Sequence, residues 1–378
     1  MKIVNIVPQY SDGWGYQENY LTKYQKRLGY DVTVIGANYS FNDKKVIAKN
    51  EKTDYYTQDG VKVIRIPIKD NRDYDYKFRD YDTLEQSLID EKPDILFIHS
   101  VQFVYIKTIT KFLREHKEVK AFVDNHADFS NSATNWVSKN VLHKIIWRHY
   151  AQMIDPYIIK WFGVLPARVD FLIDMYGLPK EKVELLVMGA DDDCVEKYRT
   201  QNYKEEYRKR YGISESDFLL VTGGKIDQAK RQTLLLMDAV NESANKDLKL
   251  IVFGSVVPEL KDEVQNRCSQ RVQYIGWADG DASYPLFNMA DIVVFPGRHS
   301  VYWEQVAGMG IPMICKLWAG TTHVDNGGNV IFLRNDCISE IKKAVDEALV
   351  RLDEMHVIAE NNKRKFLYSE IAKKSIQV

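Results

Sequence analysis

Short apolar runs alternate with amphipathic stretches along the whole chain, and this alternation decides the fold class. In the first half the runs are KIVNIVP (2–8), DVTVIGA (31–37), VKVIRIP (61–67), DILFIHS (94–100), AFVDNH (121–126), FGVLP (162–166) and VELLVMG (183–189). In the second half they are DFLLVTGG (217–224), LKLIVFG (248–254), RVQYIGW (271–277), DIVVFPG (291–297), PMICK (312–316) and VIFL (330–333). Short runs rich in Val, Ile and Phe predict strands, and runs apolar at nearly every position predict strands buried on both faces, as in parallel sheets. Nearly every gap is long enough for a helix, for example NYLTKYQKRLG (19–29) and RQTLLLMDAVNE (231–242). The pattern therefore predicts an α/β fold. These strands are too many for one ordinary sheet, so two Rossmann-like, doubly wound domains are expected, facing across a cleft at the carboxyl ends of their strands. The polar segment 191–212 reads as the junction. The expected divisions are 1–195 for the first domain, 196–355 for the second, and 356–378 for a C-terminal helix crossing back to the first.

One helix breaks the pattern. In GRHSVYWEQVAGMGIPMI (297–314), residues 300–309 carry Val301, Tyr302, Trp303, Val306, Ala307 and Met309 all round the axis. Such a helix is buried on most sides, yet it contains Glu304. An unpaired buried carboxylate costs several kcal/mol, and a capping box does not supply a partner, because with Ser300 as N-cap the box position is Trp303. A Glu near a helix start also complements the helix dipole, so the helix alone leaves the partner of Glu304 open.

Composition narrows the class further. At ~150 residues per domain, a chain of 378 fits two domains, or three small ones. Its 52 Lys plus Arg balance 53 Asp plus Glu, which gives no basic excess for nucleic acid. No apolar run approaches the length of a transmembrane helix. The start, MKIVNIVPQYSDG, has too short an apolar core for a signal peptide and reads as the first strand. Cys194, Cys268, Cys315 and Cys337 have neither C-x-x-C nor His-paired spacing, so they predict no zinc site and no disulfide framework, and fit a reducing cytoplasm.

Candidate chemistry lies in the loops just past the strands. After the first strand, Gly13 and Gly15 bracket a Trp before a helix, a turn that lets backbone N–H groups approach an anion. The spacing is not G-x-G-x-x-G, so a dinucleotide fingerprint is absent. The strand 217–224 runs into GGKIDQAK, which sets Lys225 and Lys230 near a helix start where a phosphate would sit. The fifth strand ends in DNHAD, with His126 between Asp124 and Asp128; His99 ends another strand. Asp191, Asp192 and Asp193 read as a polar linker and not as a metal motif.

Taken together these segments resemble the retaining glycosyltransferases of family 4, which have the GT-B fold, over almost the whole chain. GWGYQENYLTKYQKRLGYDVTVIG resembles the family's first loop, helix and second strand, VELLVMGAD its segment before the linker, and FLLVTGGKIDQAKR its phosphate loop, with Lys225 in place of an Arg. RVQYIGW, LFNMADIVVFP and WEQVAGMGIPMI follow in the family's order, the last placing Glu304 on the second glutamate of the E-x7-E motif. The resemblance implies a glycosyl group moved, with retention, from a nucleoside-diphosphate sugar, UDP being the expected nucleotide, to a hydroxyl of a glycan or lipid-linked acceptor in bacterial surface polysaccharide assembly. It implies that Glu304 accepts the ribose hydroxyls, that Lys225 and Lys230 hold the diphosphate with help from the Gly13 and Gly15 amides, that His126 touches the sugar, and that Trp277 and Ala278 line the base pocket. No metal or other cofactor is implied. One position departs: Pro296 stands where the first glutamate belongs, the loop is about four residues short, and His299 and Ser300 lie nearest the gap. A non-catalytic nucleotide- or glycan-binding partner subunit is the alternative this departure leaves open.

Residues 136–161, WVSKNVLHKIIWRHYAQMIDPYIIKW, mix three tryptophans with Lys139, Lys144, Arg148 and Lys160 against Asp155 alone. Aromatic and basic residues mixed in this way can seat a helix on an anionic membrane surface. The expected location is the cytoplasm, with peripheral contact to the inner membrane face through this segment.

Overall fold

The computed structural model describes residues 1–41, 47–50, 52–67, 80–278 and 280–377. The strands, in chain order, are β1 (Lys2–Val7), β2 (Asp31–Ala37), β3 (Tyr39–Phe41), β4 (Ile47–Lys49), β5 (Asp54–Tyr56), β6 (Lys62–Ile66), β7 (Ile95–His99) and β8 (Lys120–Asn125). They continue with β9 (Ile158–Gly163), β10 (Val183–Leu185), β11 (Phe218–Gly223), β12 (Leu248–Phe253), β13 (Val272–Tyr274), β14 (Ile292–Phe295), β15 (Met313–Lys316) and β16 (Val330–Leu333). The chain divides into two units, Met1–Val187 with Ser369–Val378, and Met188–Tyr368.

The first unit is built on an eight-stranded sheet of order β10-β9-β8-β7-β1-β2-β6-β5, parallel except for the β5–β6 pair. Its strands are apolar on both faces because both faces are covered. Val4 and Ile6 of β1 join the large core, while Val32 and Val34 of β2 turn into a second one with Val61 and Val63. The alternation of a pleated strand produces this division. The order reverses between β1 and β7, so their carboxyl ends border the crevice where such sheets bind ligands.

In the second unit a six-stranded, wholly parallel sheet has the order β13-β12-β11-β14-β15-β16. Counted from β11, this is the 3-2-1-4-5-6 order of the dinucleotide-binding fold, with its switch point between β11 and β14. The helix Gln232–Asn241 buries Leu234, Leu236, Met237 and Val240 in the core of one face, and the long helix Ile338–Asn362 adds Ile341, Val345 and Met355.

Several expectations need correction. The strand expected at 162–166 is Ile158–Gly163, and the run 183–189 is a strand only over Val183–Leu185. The short strands β3, β4 and β5 carry too little apolar sequence to be read in advance, whereas β6 lies within the run 61–67. Division falls at Val187/Met188 because the next residues are tied to the second unit: Ala190 pairs with Leu367, and the Asp191 amide donates to Tyr284. The return to the first unit begins at Ser369, so the long helix before it belongs wholly to the second unit. Segment 136–161 is not one helix. It holds a π-helix (Ser138–Trp147), an α-helix (Arg148–Ile154) and then β9, whose Ile158 and Trp161 are core residues.

Candidate functional sites at the strand ends

In the second unit the switch point carries a small open pocket of about 20 Å³, lined by Thr222 to Ile226, Lys230, Thr233, Phe295 to Arg298 and Ser300, among others. Glycine makes it. Gly224 and Gly254 have φ of 121° and 124°, and a Cβ on Gly254 would stand 1.9 Å from the Gly224 carbonyl oxygen. Two backbones therefore cross here with no room for side chains, which opens the strand end to a ligand. Three cations face the opening. Lys225 pairs with Asp227 at 3.3 Å, whereas among the described residues neither Lys230 nor Arg298 has an ion-pair partner. Burial pushes the Lys230 pKa down, Asp227 opposes this, and the charges of Lys225 and Arg298 add to the depression. An anion would remove that repulsion.

Beside the pocket lies the cluster that surrounds Glu304. The helix is Tyr302–Gly308, starting two residues later and ending one earlier than expected, and Trp303 to Gly308 are all buried. Glu304 itself is 0% exposed. The expectation that its charge lacks a protein partner is overturned. Oε1 lies 2.7 Å from His299 Nε2 and 2.7 Å from His323 Nε2. Burial would raise the Glu304 pKa, but the two imidazoles, His299 foremost, pull it down to about 2. The other oxygen, Oε2, is sealed from solvent with no partner, as is His323 Nδ1. The charge is half satisfied by the fold and half bare.

The first unit holds a third grouping. His99 ends β7, Asp124 is its register partner on β8, and His126 follows two residues later. Asp124 Oδ2 lies 2.9 Å from His99 Nδ1, 3.5 Å from His126 Nε2 and 3.4 Å from Gln17 Nε2. Burial alone would raise the Asp124 pKa, yet His99 and His126 hold it well below the usual carboxylate range. Burial depresses His99 and Asp124 more than compensates. Asp128, the other acid flanking His126, is engaged elsewhere, with Arg168 at 3.0 Å and Ser130. In the loop after β1, Gly13 and Gly15 take φ of 71° and 65°, which accounts for both glycines by backbone conformation. Arg65 anchors that loop through Asp12 at 3.0 Å and the Tyr10 carbonyl at 2.5 Å.

The structure thus brings Lys225, Lys230 and Ser300 into one pocket and sets His299 with Glu304 next to it. Trp277 and Ala278 do not line that pocket, and Trp277 is 71% exposed. His126, Gly13 and Gly15 belong to the first unit. Sequence reasoning missed Arg298 and His323. Arg298 sits in the short loop after β14, where a single arginine carries no local pattern. His323 is a lone histidine in a turn, and no local pattern marks it.

No family model matches the chain. MJ1607 of Methanocaldococcus jannaschii, described as an uncharacterized glycosyltransferase, is 21% identical over 220 residues, 54% of this chain and 55% of that protein. The chain therefore spans about half the length of the curated relative it matches. Among solved structures, Anabaena HepE in complex with UDP superposes with a TM-score of 0.68 at 14% identity, covering 99% of this chain and 98% of HepE. WaaG, a glycosyltransferase involved in lipopolysaccharide biosynthesis, gives 0.59 at 16% identity over 99% and 98% of the two chains. OtsA in its apo form gives 0.68 at 9% identity over the full length of both. At such identities the likeness speaks to architecture: this chain has the α/β fold of two parallel-sheet domains seen in the GT-B glycosyltransferase structures.

Proposed function

We propose that the protein is a retaining glycosyltransferase that takes a nucleoside-diphosphate sugar, UDP being the expected nucleotide, and transfers the sugar to a hydroxyl of a glycan or lipid-linked acceptor in surface polysaccharide assembly. The observation that carries this reading is the glycine-walled pocket at the β11/β14 switch point, where Lys225, Lys230 and Arg298 leave an unbalanced positive charge at strand ends. A diphosphate matches that charge. In this reading the three cations stabilise the negative charge that develops on the departing diphosphate. The bond between the anomeric carbon and the phosphate oxygen breaks as the acceptor oxygen bonds on the same face. The departing phosphate oxygen takes the acceptor proton, so no protein base and no metal is needed at this step. Glu304 offers its bare Oε2 to ribose, and His299, whose side chain is 12% exposed against 4% for His323, is the group that turns aside to admit it. Ser300, on the pocket wall, and His299 would set donor choice. His126 would contact the sugar, and Trp277 with Ala278 the base.

Peripheral contact with the inner face of an anionic membrane through 136–147 is part of the proposal, supported by the exposure of Trp136, Val137 and Ile145 beside Lys139 and Lys144. Among the described residues no helix is long and apolar enough to cross a membrane.

A panel of nucleotide sugars screened by thermal shift tests the donor site, since a ligand at 100 times its Kd stabilises by roughly 2.7 kcal/mol. NMR of the product's anomeric carbon then tests retention. The enclosure of Glu304 and the Pro296 substitution favour a second reading, a non-catalytic nucleotide-binding subunit. That protein would shift with a nucleotide and turn over no donor with any acceptor extract.

A further inference from the structure

We propose that His99, Asp124 and His126 in the first unit form a binding site for one divalent cation of the zinc class. The topology assembles it. His99 and Asp124 are register partners on adjacent parallel strands, and His126 follows Asp124 with the two-residue spacing that returns a side chain to the same face. One ligating atom from each of the three lies within 4.8 Å of the others. The two measured edges, 2.9 Å from His99 Nδ1 and 3.5 Å from His126 Nε2 to Asp124 Oδ2, bracket the roughly 3.0–3.4 Å between ligands of an ion held at about 2.0–2.1 Å.

Hydrogen bonding accounts for only part of the cluster, the 2.9 Å pair of His99 Nδ1 with Asp124 Oδ2 and the longer bond donated by Gln17. His126 Nε2 is sealed from solvent and makes no hydrogen bond, and Asp124 Oδ1 and Gln17 Oε1 are likewise bare. Among the described residues the ion-pair partners of Asp124 are these two histidines alone, with no lysine or arginine to balance a carboxylate at 0% exposure. The comparison within this molecule is instructive. Around Glu304 both imidazole nitrogens stand at 2.7 Å from one oxygen, hydrogen-bond lengths that are closer than the ligands of one ion stand, and that grouping is the rival position for an ion.

Two imidazoles and one carboxylate suit zinc, cobalt, nickel or ferrous iron over magnesium or calcium, which prefer all-oxygen ligands. The imidazoles bind as neutral ligands, so the proton shared between His99 Nδ1 and Asp124 leaves on binding. His126, with a side chain 35% exposed, forms the open side, where remaining positions would take water or a ligand hydroxyl. Backbone and side-chain bonds hold the frame: Asn125 donates to the Ala127 carbonyl and accepts from Gln102.

The test needs no substrate. The full-length protein is stripped with EDTA, loaded with zinc, dialysed against metal-free buffer and measured by inductively coupled plasma mass spectrometry. A Co2+-loaded sample is read by visible absorption. The expected result is about one ion per chain, with ligand-field bands for Co2+, and at least a tenfold weaker zinc affinity in His126→Ala and His126→Gln. Both variants alter a partly exposed side chain, and their metal-free melting midpoints check folding. Zinc at the buffer blank in the wild type overturns the site. So does zinc that survives His126→Ala and disappears in His299→Ala, because the ion would then lie at Glu304.

Discussion

Nε2 of His323 lies 2.7 Å from Oε1 of Glu304, across nineteen residues and from a different loop, and His299 meets the same oxygen at the same distance. Three segments of the second unit, the loop after β14, the helix Tyr302–Gly308 and the turn after β15, are therefore pinned by one carboxylate. Breaking such a centre by removing one partner leaves the others buried and unpaired, which is the costly case.

Glu304→Gln is expected to destabilise the protein by about 2–4 kcal/mol at pH 7. The sign with pH follows from a folded pKa lowered from 4.5 to about 2. The carboxylate's contribution is complete above pH 4.5 and is lost as pH falls toward 2. Denaturant titrations of both proteins across that window should show the gap between them closing as pH falls. A gap of constant size from pH 7 to pH 2.5 would mean that the ionised carboxylate is not what holds the centre.

At the switch-point pocket, Lys230→Ala and Arg298→Ala should each weaken UDP binding by roughly 10- to 150-fold, the range of about 1.5–3 kcal/mol for a charged hydrogen bond. Lys225→Ala should cost less, because its side chain is 56% exposed and already paired with Asp227. If the contacts tighten as leaving-group charge develops, kcat falls more than KM rises. Calorimetry with UDP and steady-state kinetics separate the two effects. Arg298 is exposed like Lys225 but has no ion-pair partner among the described residues, so burial ranks only the lysines, and equal losses for Lys225→Ala and Lys230→Ala would contradict that ordering.

Much of the fold was legible because the strands buried on both faces are continuous apolar runs. β1, β2, β11, β12 and β14 stand within a residue or so of where the pattern puts them. The edge pairs were not, since β3, β4 and β5 are three-residue elements without an apolar signature. Lys225 and Lys230 could be read from their place after a strand. The Glu304 centre could not be read, because His299 and His323 meet only once β14 and β15 lie side by side. The same holds for His99 and Asp124, whose relation is a cross-strand register and not a spacing along the chain.

Gly254→Ala should force the backbones at Gly224 and Gly254 apart without touching a charged group. The new Cβ would stand 1.9 Å from the Gly224 oxygen, on a residue whose φ of 124° already disfavours any side chain. A loss of roughly 3 kcal/mol or more is expected from strain and clash together. Gly212→Ala is the control, with a φ of 68° and nothing within 4 Å of its Cβ. Urea melts should rank the first variant well below the second. Equal midpoints would show that the two strand-end backbones can part at little cost.

The last prediction concerns the surface between the first unit's core and solvent. Trp136 and Val137, just before the π-helix, and Ile145, near its end, are 71%, 56% and 62% exposed. Lys139 and Lys144 are exposed beside it, Lys139 lying 5.2 Å from the ring centre of half-exposed Phe129. Lys160 adds nothing to this field, since Glu184 pairs with it at 2.8 Å, and Trp147 and Trp161 are buried. The candidate membrane-facing surface is thus smaller than the sequence segment suggested, with two lysines that have no ion-pair partner among the described residues and one exposed tryptophan. Each cation near an anionic surface contributes about 1 kcal/mol, so Lys139→Glu with Lys144→Glu should reduce partitioning by at least roughly thirtyfold. Trp136→Ala should weaken it without changing its salt dependence, because it removes buried apolar area and not charge. Sedimentation with anionic and neutral vesicles at low and high salt measures each term. Equal recovery with both lipids, or none at low salt, would leave this patch to a protein or glycan partner and remove the membrane from the proposal.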